Sequence, residues 1–237
     1  MPTDMLFRSD AYLQSCDATV VAVNDRGGVI LDRTVFYPTG GGQPGDKGAL
    51  VTASGTEIPI ETAVYGEDKG TIVHVPAAGS ALPTPGEKVT ARLDWSVRMP
   101  RMRIHTALHL LTTVLPYPVT GGSIGDGEGR LDFDIPDGGL DKDDIAAKLA
   151  EKIAQNADIR ERWITDEELE ANPGLVKTMS VKPPMGTGRV RLVEIVGLDL
   201  QPCGGTHVRN TAEIGGVAVT NIEKKGKQNR RVRIALV

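Results

Sequence analysis

Short apolar runs separated by turn-forming residues make up the first ninety positions of the chain. Five short β-strands are predicted from this pattern, at 18–23, 29–38, 57–65, 70–75 and 88–94. Evenly spaced short strands favour a small barrel or closed sheet. The proline- and glycine-containing segment 76–87 is predicted to be a linker or a long hairpin arm. We therefore expect a domain boundary just after it, giving domains 1–90 and 91–237.

A helical pattern replaces the β pattern after Asp94. One apolar stripe recurs at steps of four, three and four residues, formed by Ile104, Leu108, Leu111 and Leu115. Pro100 lies near the start of this helix and is expected to end or kink its first turn. His105 and His109 lie about one residue round the helix from the stripe.

The remaining pattern predicts two further helices followed by three strands. A helix is predicted at 142–157 with Asp141 as its N-cap, and a short one at 166–171. Three strands are predicted after them, at 189–196, 216–222 and 230–236. Because the helices are grouped between β segments, the predicted class is α+β, with an N-terminal small β-barrel-like domain followed by an α+β domain.

Composition narrows the class of protein. The chain has 237 residues, a net charge of -4 and two cysteines, which are too few for a disulfide framework. The first residues lack the apolar segment of a signal peptide, and no stretch approaches the ~20 apolar residues that span a bilayer. We expect a cytoplasmic protein without a membrane partner. The acidic balance argues against an indiscriminate nucleic-acid coat but permits a local basic patch.

Two pairs of metal-ligand residues share a four-residue spacing. His105 and His109 are one pair, and Cys203 and His207 are the other, in a chain with only four histidines. Residues four apart lie on one helix face, roughly 5–6 Å apart, so the two imidazoles can converge on one ion. Either pair alone is weak evidence and could be unrelated to the other. Together they form a His₃Cys set that suits tetrahedral Zn²⁺.

The metalloprotease form of such a site is excluded by one residue. A zinc protease helix carries a glutamate directly after its first histidine as the general base, and here that position is Thr106. Four protein ligands would close the shell and favour a structural metal, whereas an open position would favour catalysis. A catalytic ion here would act on something other than a peptide.

A glycine-rich segment, 40–46, is the third candidate feature. Consecutive Gly40, Gly41 and Gly42 expose backbone N–H groups and permit close approach of a ligand. The segment lacks the ending of a P-loop, and a wide turn between strands explains it equally well. Thr34, just upstream, has the character of an ordinary strand residue.

A basic run forms the fourth feature. Six cationic residues occur within 223–234, namely Lys224, Lys225, Lys227, Arg230, Arg231 and Arg233. Such runs are usually a solvated face, but a basic hairpin can also contact nucleic-acid phosphates. Arg98, Arg101 and Arg103 add charge just before the first histidine pair.

Three blocks occur in the order of a known family. They are "LDRTVFYPTGGGQPGDKG", "DWSVRMPRMRIHTALHLL" and "QPCGGTHVRNTAEIGGVAV". They resemble the editing module of alanyl-tRNA synthetases and its free-standing relatives, the AlaX proteins, over about residues 19–236. Because the chain has no room for an aminoacylation core, it is most similar to the medium-sized free-standing class.

The resemblance implies a zinc-dependent, ATP-independent hydrolase that deacylates Ser-tRNA(Ala) and, in some members, Gly-tRNA(Ala). It implies that His105, His109 and Cys203 ligate zinc, and that His207 ligates it directly or through water. Thr34 would read the seryl hydroxyl, and Gln43 with Gly40–Gly42 would line the entrance near the terminal adenosine. Thr34, Gln43 and His207 are the expected catalytic residues. We expect Arg101, Arg230 and Arg231 to bind tRNA.

Other functions fit the same residues. The chain could be a zinc-stabilised tRNA-binding module without activity, or a metallohydrolase of small esters. The editing domain of threonyl-tRNA synthetases has the same two spacings, so a substrate such as Ser-tRNA(Thr) is a further alternative. The sequence leaves the serine-to-glycine preference open, and equally the choice between monomer and dimer.

Overall fold

A computed structural model describes residues 2–136, 139–179 and 188–237. The chain forms two compact units, Met1–Met99 and Pro100–Val237. The three α-helices of the described residues are α1 Trp95–Val114, α2 Lys142–Ala154 and α3 Asp166–Ala171. The strands of those residues are β1 Asp4–Met5, β2 Ser15–Val23, β3 Val29–Leu31, β4 Arg33–Thr34, β5 Gly48–Thr52, β6 Glu57–Tyr65, β7 Ile72–Pro76, β8 Lys88–Leu93, β9 Val119–Ile124, β10 Glu128–Asp134, β11 Ile159–Ile164, β12 Val190–Ile195, β13 Asp199–Pro202, β14 Val217–Lys224 and β15 Asn229–Leu236.

The first unit is a closed six-stranded barrel. Its strands neighbour each other in the order β2-β3-β7-β6-β5-β8, and the sheet closes between β8 and β2. Alternate residues of the strands point inward and form one apolar core, which includes Val20, Leu31, Leu50, Ile60 and Ile72. The N-terminal barrel expected from the short, evenly spaced runs is confirmed.

Two details of the barrel differ from the sequence prediction. The strand predicted over 29–38 ends at Leu31, because side-chain carboxylates take the backbone N–H groups that a longer strand would use. Asp32 accepts from Thr19 N (2.7 Å), and Asp46 accepts from Tyr37 N (2.6 Å). The sequence analysis missed β5, whose first residue adjoins the glycine-rich segment.

A buried ion pair lies under the barrel wall. Arg98, in the first turn of α1, is fully buried, and its Nε donates to both carboxylate oxygens of Asp46 at 3.0 Å. Its terminal nitrogens donate to Ala11 O and Val35 O, both at 2.8 Å. Because every part of the guanidinium is engaged, Arg98 is a structural residue of the first unit. Of the three arginines that precede the histidine pair, Arg98 therefore has its charge neutralised by Asp46.

The second unit combines two sheets with helices. One sheet has the order β14-β15-β10-β9, and the other has the order β11-β12-β13. The apolar stripe of α1 is buried as predicted, and Gly129 on β10 lets the helix pack closely, since a Cβ there would lie 2.6 Å from Ile104. The α+β class is confirmed. The helix begins at Trp95 and continues through Pro100, so the expected termination at that proline is wrong.

Caps define the other two helices. Asp141 accepts from the backbone N–H groups of Asp143 (2.9 Å) and Asp144 (2.8 Å), which confirms the predicted N-cap of α2. The helix ends at Ala154, three residues before the predicted end, and Asn156 takes a positive φ of 54°. Helix α3 has the predicted bounds.

Four strands of the second unit were not predicted from the sequence. The three predicted C-terminal strands are present as β12, β14 and β15. Those missed are β9, β10, β11 and β13.

The two units divide between Met99 and Pro100, inside α1, whereas the sequence analysis placed the boundary between 90 and 91. Among the described residues, no helix is long and apolar enough to cross a membrane.

Candidate metal centre

The two pairs predicted from their spacing meet in the second unit. One ligand atom from each of His105, His109, Cys203 and His207 lies within 4.8 Å of every other. The Cys203 Sγ atom is 3.5 Å from His105 Nε2 and 3.3 Å from His207 Nε2. The three imidazole rings have centroids 4.2–5.2 Å apart. These residues therefore form one cluster that could hold a metal ion.

Each pair is presented by a different kind of element. His105 and His109 occupy successive turns of α1, on the helix face beside its buried stripe. Cys203 follows directly on β13, and His207 lies in the middle of the loop after it. The three histidines are 5–8 % exposed, and Cys203 is partly exposed. The cluster therefore lies largely within the protein.

The Thr106 hydroxyl sets the proton position on His207. Thr106 Oγ1 donates its single proton to Met102 O (2.9 Å), so it can only accept from its other neighbours. Those neighbours are Val208 N at 3.3 Å and His207 Nδ1 at 3.1 Å. The proton of His207 therefore lies on Nδ1, and the Nε2 lone pair is directed to the cluster. This is the outer-shell arrangement typical of metal-binding histidine.

Asp199 performs a comparable function for His109. Its Oδ2 lies 3.3 Å from His109 Nδ1, an ionic contact rather than a well-directed hydrogen bond. The carboxylate also accepts from Lys177 Nζ and from Gln201 Nε2 (2.7 Å). This contact favours a proton on Nδ1 of His109 and leaves Nε2 for the cluster.

The charges within the cluster shift its pKa values strongly. Burial alone would lower the pKa of His109, but Cys203 and Asp199 outweigh it and raise that pKa to about 9. Burial, together with the neighbouring His105, lowers the pKa of His207 to about 3. Burial would raise the pKa of Cys203, but the three histidines bring it well below its usual value. This shift favours the thiolate, the form that binds metal.

The donor set fits Zn²⁺. One thiolate and three imidazoles are the soft and borderline donors that this ion prefers, and four such ligands match its tetrahedral shell. Two of the three imidazoles have an outer contact that places the proton away from the cluster. Calcium or magnesium, which require oxygen ligands, would not suit this set.

Thr34 and Gln43, which were expected to contact the substrate, are both buried in the first unit. Thr34 is fully buried, its Oγ1 is 2.7 Å from His74 Nε2, and it accepts from Phe36 N at 3.0 Å. Gln43 is 1 % exposed. Its backbone N donates to Gly40 O (2.9 Å), and its O accepts from Gly40 N (3.0 Å).

The glycine-rich segment is therefore a tight turn with an exposed tip. Gly41 and Gly42 both have positive φ, 57° and 83°, as the two central residues of such a turn require. The Tyr37 hydroxyl donates to Gly40 O at 2.8 Å and fixes the turn against the barrel. The sequence interpretation as a turn is correct, although the turn is tight and not wide, and it does not conflict with ligand binding at the tip.

Two arginines of the RMPRMR stretch belong to the second unit. Arg101 precedes His105 by one helical turn, is 3 % exposed, and donates from Nε to Asp126 (2.6 Å). Arg103 donates to Ile214 O at 2.8 Å. Arg101 therefore lies beside the cluster on the same helix, already paired with an acidic residue.

The basic run forms the predicted hairpin of β14 and β15. Arg231 donates two bonds to Asp132 (2.7 and 2.9 Å), and Glu223 pairs with both Lys225 and Arg233 at 2.6 Å. Arg230 contacts only backbone carbonyls of its own hairpin, at 3.2–3.5 Å. Within the described residues, the unpaired positive charge of this hairpin is therefore concentrated near its tip.

Family comparisons agree with this arrangement. Residues 190–233, which include Cys203 and His207, match the family model described as the threonyl and alanyl tRNA synthetase second additional domain. Residues 12–97, the barrel, match the model of class II (A) tRNA synthetases. A segment of each unit thus matches a tRNA synthetase family model.

Individual proteins are similar to this chain over nearly its whole length. The alanyl-tRNA editing protein AlaX-M of Methanosarcina acetivorans is 36% identical over 99% of both chains. AlaX-L of Pyrococcus horikoshii is 33% identical over 97% of this chain and 57% of its own length. The alanine--tRNA ligase of Korarchaeum cryptofilum is 37% identical over 94% of this chain, but this covers 25% of the ligase.

Some contributors to the site were not found in the sequence. Thr106 was noticed only as the residue that replaces a catalytic glutamate, although its hydroxyl orients His207. Asp199 lies four residues before Cys203 in the sequence. A search for acidic residues near candidate ligands could have found it, because metal-bound histidines usually contact one. The contacts of Thr106 carry no comparable signal in the sequence.

Proposed function

The chain belongs to the AlaX family of alanyl-tRNA editing proteins, and from this premise we propose that it hydrolyses the ester bond of tRNA(Ala) charged with the wrong amino acid. The observation that supports this most directly is the convergence of His105, His109, Cys203 and His207 into one buried cluster. The similarity of this chain to an AlaX-M protein over nearly the whole of both chains supports the same proposal.

We propose Zn²⁺ as the ion of the cluster, ligated by His105, His109 and Cys203, with His207 as the fourth ligand. When bound, zinc would supply a Lewis acid that orients the terminal ribose or lowers the pKa of water toward ~7. The chain's own contribution is to hold the imidazoles in the ligating tautomer, through Thr106 and the Asp199 contact. An aminoacyl ester is activated, so the lack of a glutamate at position 106 is compatible with this reaction.

Serine is the proposed amino acid of the substrate, with glycine as a second one. Alanine is smaller than serine, so size alone cannot exclude it, and a polar group paired only by the seryl hydroxyl must discriminate. We propose Thr34 for this part, with Gln43 and Gly40–Gly42 near the terminal adenosine. Arg101, Arg230 and Arg231 are proposed to contact the tRNA, in a cytoplasmic protein that needs no ATP.

The contacts of Thr34 define what it could offer to serine. His74 Nδ1 lies 3.0 Å from Val29 O, which can only accept, so the His74 proton lies on Nδ1 and Nε2 is an acceptor. The Thr34 hydroxyl must then donate to His74 Nε2. Since Phe36 N uses one of its lone pairs, one remains. Thr34 would therefore recognise serine as a hydrogen-bond acceptor, and the seryl hydroxyl would donate.

The decisive assay incubates the protein with Ser-, Gly- and Ala-tRNA(Ala), with and without a zinc chelator. We expect rapid release of serine, no release of alanine, and loss of activity on chelation while the far-ultraviolet circular dichroism is retained. Unfolding on chelation with no hydrolysis beforehand would instead indicate a zinc-stabilised tRNA-binding module. Hydrolysis of small amino-acid esters without tRNA would favour a general esterase, and Ser-tRNA(Thr) in the panel tests the threonyl alternative.

A further inference from the structure

Arg191 on β12 contacts the loop that follows β13 and carries Cys203 and His207. It is 7 % exposed, and its NH1 donates to both Cys203 O and Gly205 O at 2.9 Å. Its backbone O accepts from Cys203 N at 3.1 Å. Its NH2 donates to Glu161 on the neighbouring strand β11. One residue thus bonds to Cys203 on both sides of the Cα and to the carbonyl two residues further on.

These bonds define the curve of the loop. Two carbonyls two residues apart can point at the same nitrogen only if the chain between them turns. The turn brings Gly205 N within 3.4 Å of the Cys203 sulfur, so the amide points at the thiolate. The sulfur then faces His105 and His207 at 3.5 and 3.3 Å.

Glycine does not provide this curve at position 204. The φ of Gly204 lies outside the left-handed region, and a Cβ built there would meet open space. Two glycines between Cys203 and His207 would suggest that backbone freedom curls the loop, but the conformation of Gly204 does not require glycine. A side chain that ties the loop down is needed instead.

We propose that Arg191 is the positioning residue of the metal centre, and that it holds the Cys203 sulfur at the cluster before any ion binds. Arginine suits this task because its planar fork can serve two carbonyls and a carboxylate at once, which a lysine ammonium cannot do in a fixed geometry. Glu161 balances the buried charge and holds the far end of the guanidinium. The inference rests on the proposed function only in that the cluster binds Zn²⁺.

The test compares Arg191→Lys with Arg162→Lys in the intact protein. Arg162 is an arginine of the adjacent strand whose side chain is 58 % exposed and pairs with Glu194 at 3.0 Å, so it is a matched control without contact to the loop. Zinc affinity is measured by competition with a chromophoric chelator. Co²⁺ is then substituted, and its sulfur-to-metal charge-transfer band reports whether the thiolate still ligates.

We expect Arg191→Lys to lose about 10–100-fold in zinc affinity, the range found for outer-shell changes, and to weaken the charge-transfer band. Arg162→Lys should match the wild type in both measurements. Wild-type affinity and an unchanged band in Arg191→Lys would overturn the proposal. A wild-type protein that binds no zinc would instead contradict the proposed function itself.

A second variant keeps the test valid if Arg191→Lys does not fold. Glu161→Gln retains Arg191 and its bonds to the loop, but removes the anion that holds its other end; the Glu161 side chain is 31 % exposed, so the fold should tolerate it. We expect zinc affinity to fall by about threefold or more, less than for the arginine change. Unchanged affinity in this variant would also contradict a positioning role for the guanidinium.

Discussion

The four histidines of the chain are all buried, but the two units use them differently. In the barrel, His74 places Nδ1 3.0 Å from Val29 O and Nε2 2.7 Å from Thr34 Oγ1, so both ring nitrogens are satisfied by protein. In the second unit, His207 is held at Nδ1 by Thr106, and its Nε2 points to a sulfur. A buried histidine therefore indicates a metal site when its second nitrogen faces other potential metal ligands and not a hydroxyl or carbonyl group of the core.

Electrostatics separate the two groups in the same way. Burial lowers the pKa of His74 to about 4, so this histidine is neutral and acts as a core residue. The pKa of His109 is raised to about 9 against the effect of burial, because Cys203 and Asp199 provide negative charge. The barrel minimises charge at its histidine, whereas the second unit concentrates negative charge among its histidines, as a cation site should.

The largest expected effect comes from removing the sulfur. Cys203→Ser replaces a thiolate by a hydroxyl that stays protonated, so the site loses its one anionic ligand. Zinc affinity should fall by more than the ~10–100-fold typical of outer-shell changes, and Ser-tRNA(Ala) hydrolysis should be lost. Metal analysis after gel filtration measures the first effect.

His74→Asn is the matched change in the barrel. It removes a buried imidazole of the same kind but should leave the zinc content at that of the wild type. If His74→Asn also emptied the site, the distinction between a core histidine and ligand histidines would fail. Retention of tightly bound zinc by Cys203→Ser would contradict the proposed ligand set.

The next effect is a pH dependence of stability that belongs to the barrel. Folded His74 remains neutral down to its pKa of about 4, while in the unfolded chain it gains a proton near pH 6.5. Between these values the unfolded state binds the extra proton, so the free energy of unfolding falls as the pH is lowered from about 6.5 to about 4. The loss amounts to roughly 3 kcal/mol and is absent above this window.

Each unit contains one tryptophan, which allows this to be measured separately. Trp95 lies in the first unit and packs against Tyr12, with ring centroids 5.5 Å apart, while Trp163 lies in the second. In a Trp163→Phe background, urea unfolding followed by Trp95 fluorescence at several pH values reports on the barrel. His74→Gln should flatten the dependence, and an equally steep curve in that variant would assign the effect to another group.

A smaller effect is expected at the partner of His74. Thr34→Val keeps the shape and removes the hydroxyl, which leaves the buried His74 Nε2 and Phe36 N without their partner. Such losses cost about 1–3 kcal/mol of barrel stability. If Thr34 also reads serine, Ser-tRNA(Ala) hydrolysis should drop several-fold beyond any change on Gly-tRNA(Ala), with zinc unchanged.

Thr34→Ser provides the control, because it restores the hydroxyl and loses only a methyl group. It should recover most of the seryl activity and of the stability. The informative quantity is the ratio of the two hydrolysis rates, since a general folding defect lowers both. An equal loss on both substrates would make Thr34 a residue of the barrel core alone, and serine would be recognised elsewhere.

The sequence predicted the features that repeat along the chain. Short apolar runs between turn residues revealed most barrel strands, and steps of three and four revealed the buried stripe of α1 beside which both histidines lie. Strands without that pattern were missed: β9 contains two adjacent glycines, and β11 is largely charged and exposed. The strand over 29–38 was overextended because Asp32 and Asp46 compete for backbone donors.

The support around the ligands could not be predicted in the same way. Thr106 and Arg191 are single polar residues without periodicity, and their functions depend on contacts that folding creates. Thr106 meets His207 about a hundred positions along the chain, and Arg191 meets Cys203 through two backbone carbonyls. A ligand pair at fixed spacing is visible in sequence, whereas an outer contact is visible only in three dimensions.

Arg230 and Arg231 of the basic hairpin should contribute unequally to tRNA binding. Arg231 is already bound to Asp132 by two hydrogen bonds, whereas the contacts of Arg230 within the described part of the chain are with backbone carbonyls. We expect Arg230→Ala to reduce the slope of log affinity against log salt by close to ~1, and Arg231→Ala to reduce it by less. Binding isotherms at several salt concentrations measure both, and unchanged slopes would make the hairpin an ordinary solvated face.

The smallest expected effect concerns the glycines of the two units. Gly45 in the barrel segment cannot accept a side chain, since a Cβ there would lie 2.1 Å from Ala63 O. Gly204 beside Cys203 has open space and an ordinary φ. Gly45→Ala should therefore destabilise the barrel by about 1–3 kcal/mol, while Gly204→Ala should leave zinc affinity within about twofold of the wild type.

The Gly204→Ala result sharpens the assignment of the loop's shape. If Arg191 holds the loop, an added methyl group that points into open space has no route to the sulfur, so neither the zinc affinity nor the Co²⁺ charge-transfer band should change. A clear loss of zinc in Gly204→Ala would mean that backbone freedom at this glycine, and not the guanidinium beneath it, determines where Cys203 lies. Comparison with Arg191→Lys in the same competition assay separates these two explanations, because Arg191→Lys should weaken zinc binding and Gly204→Ala should not.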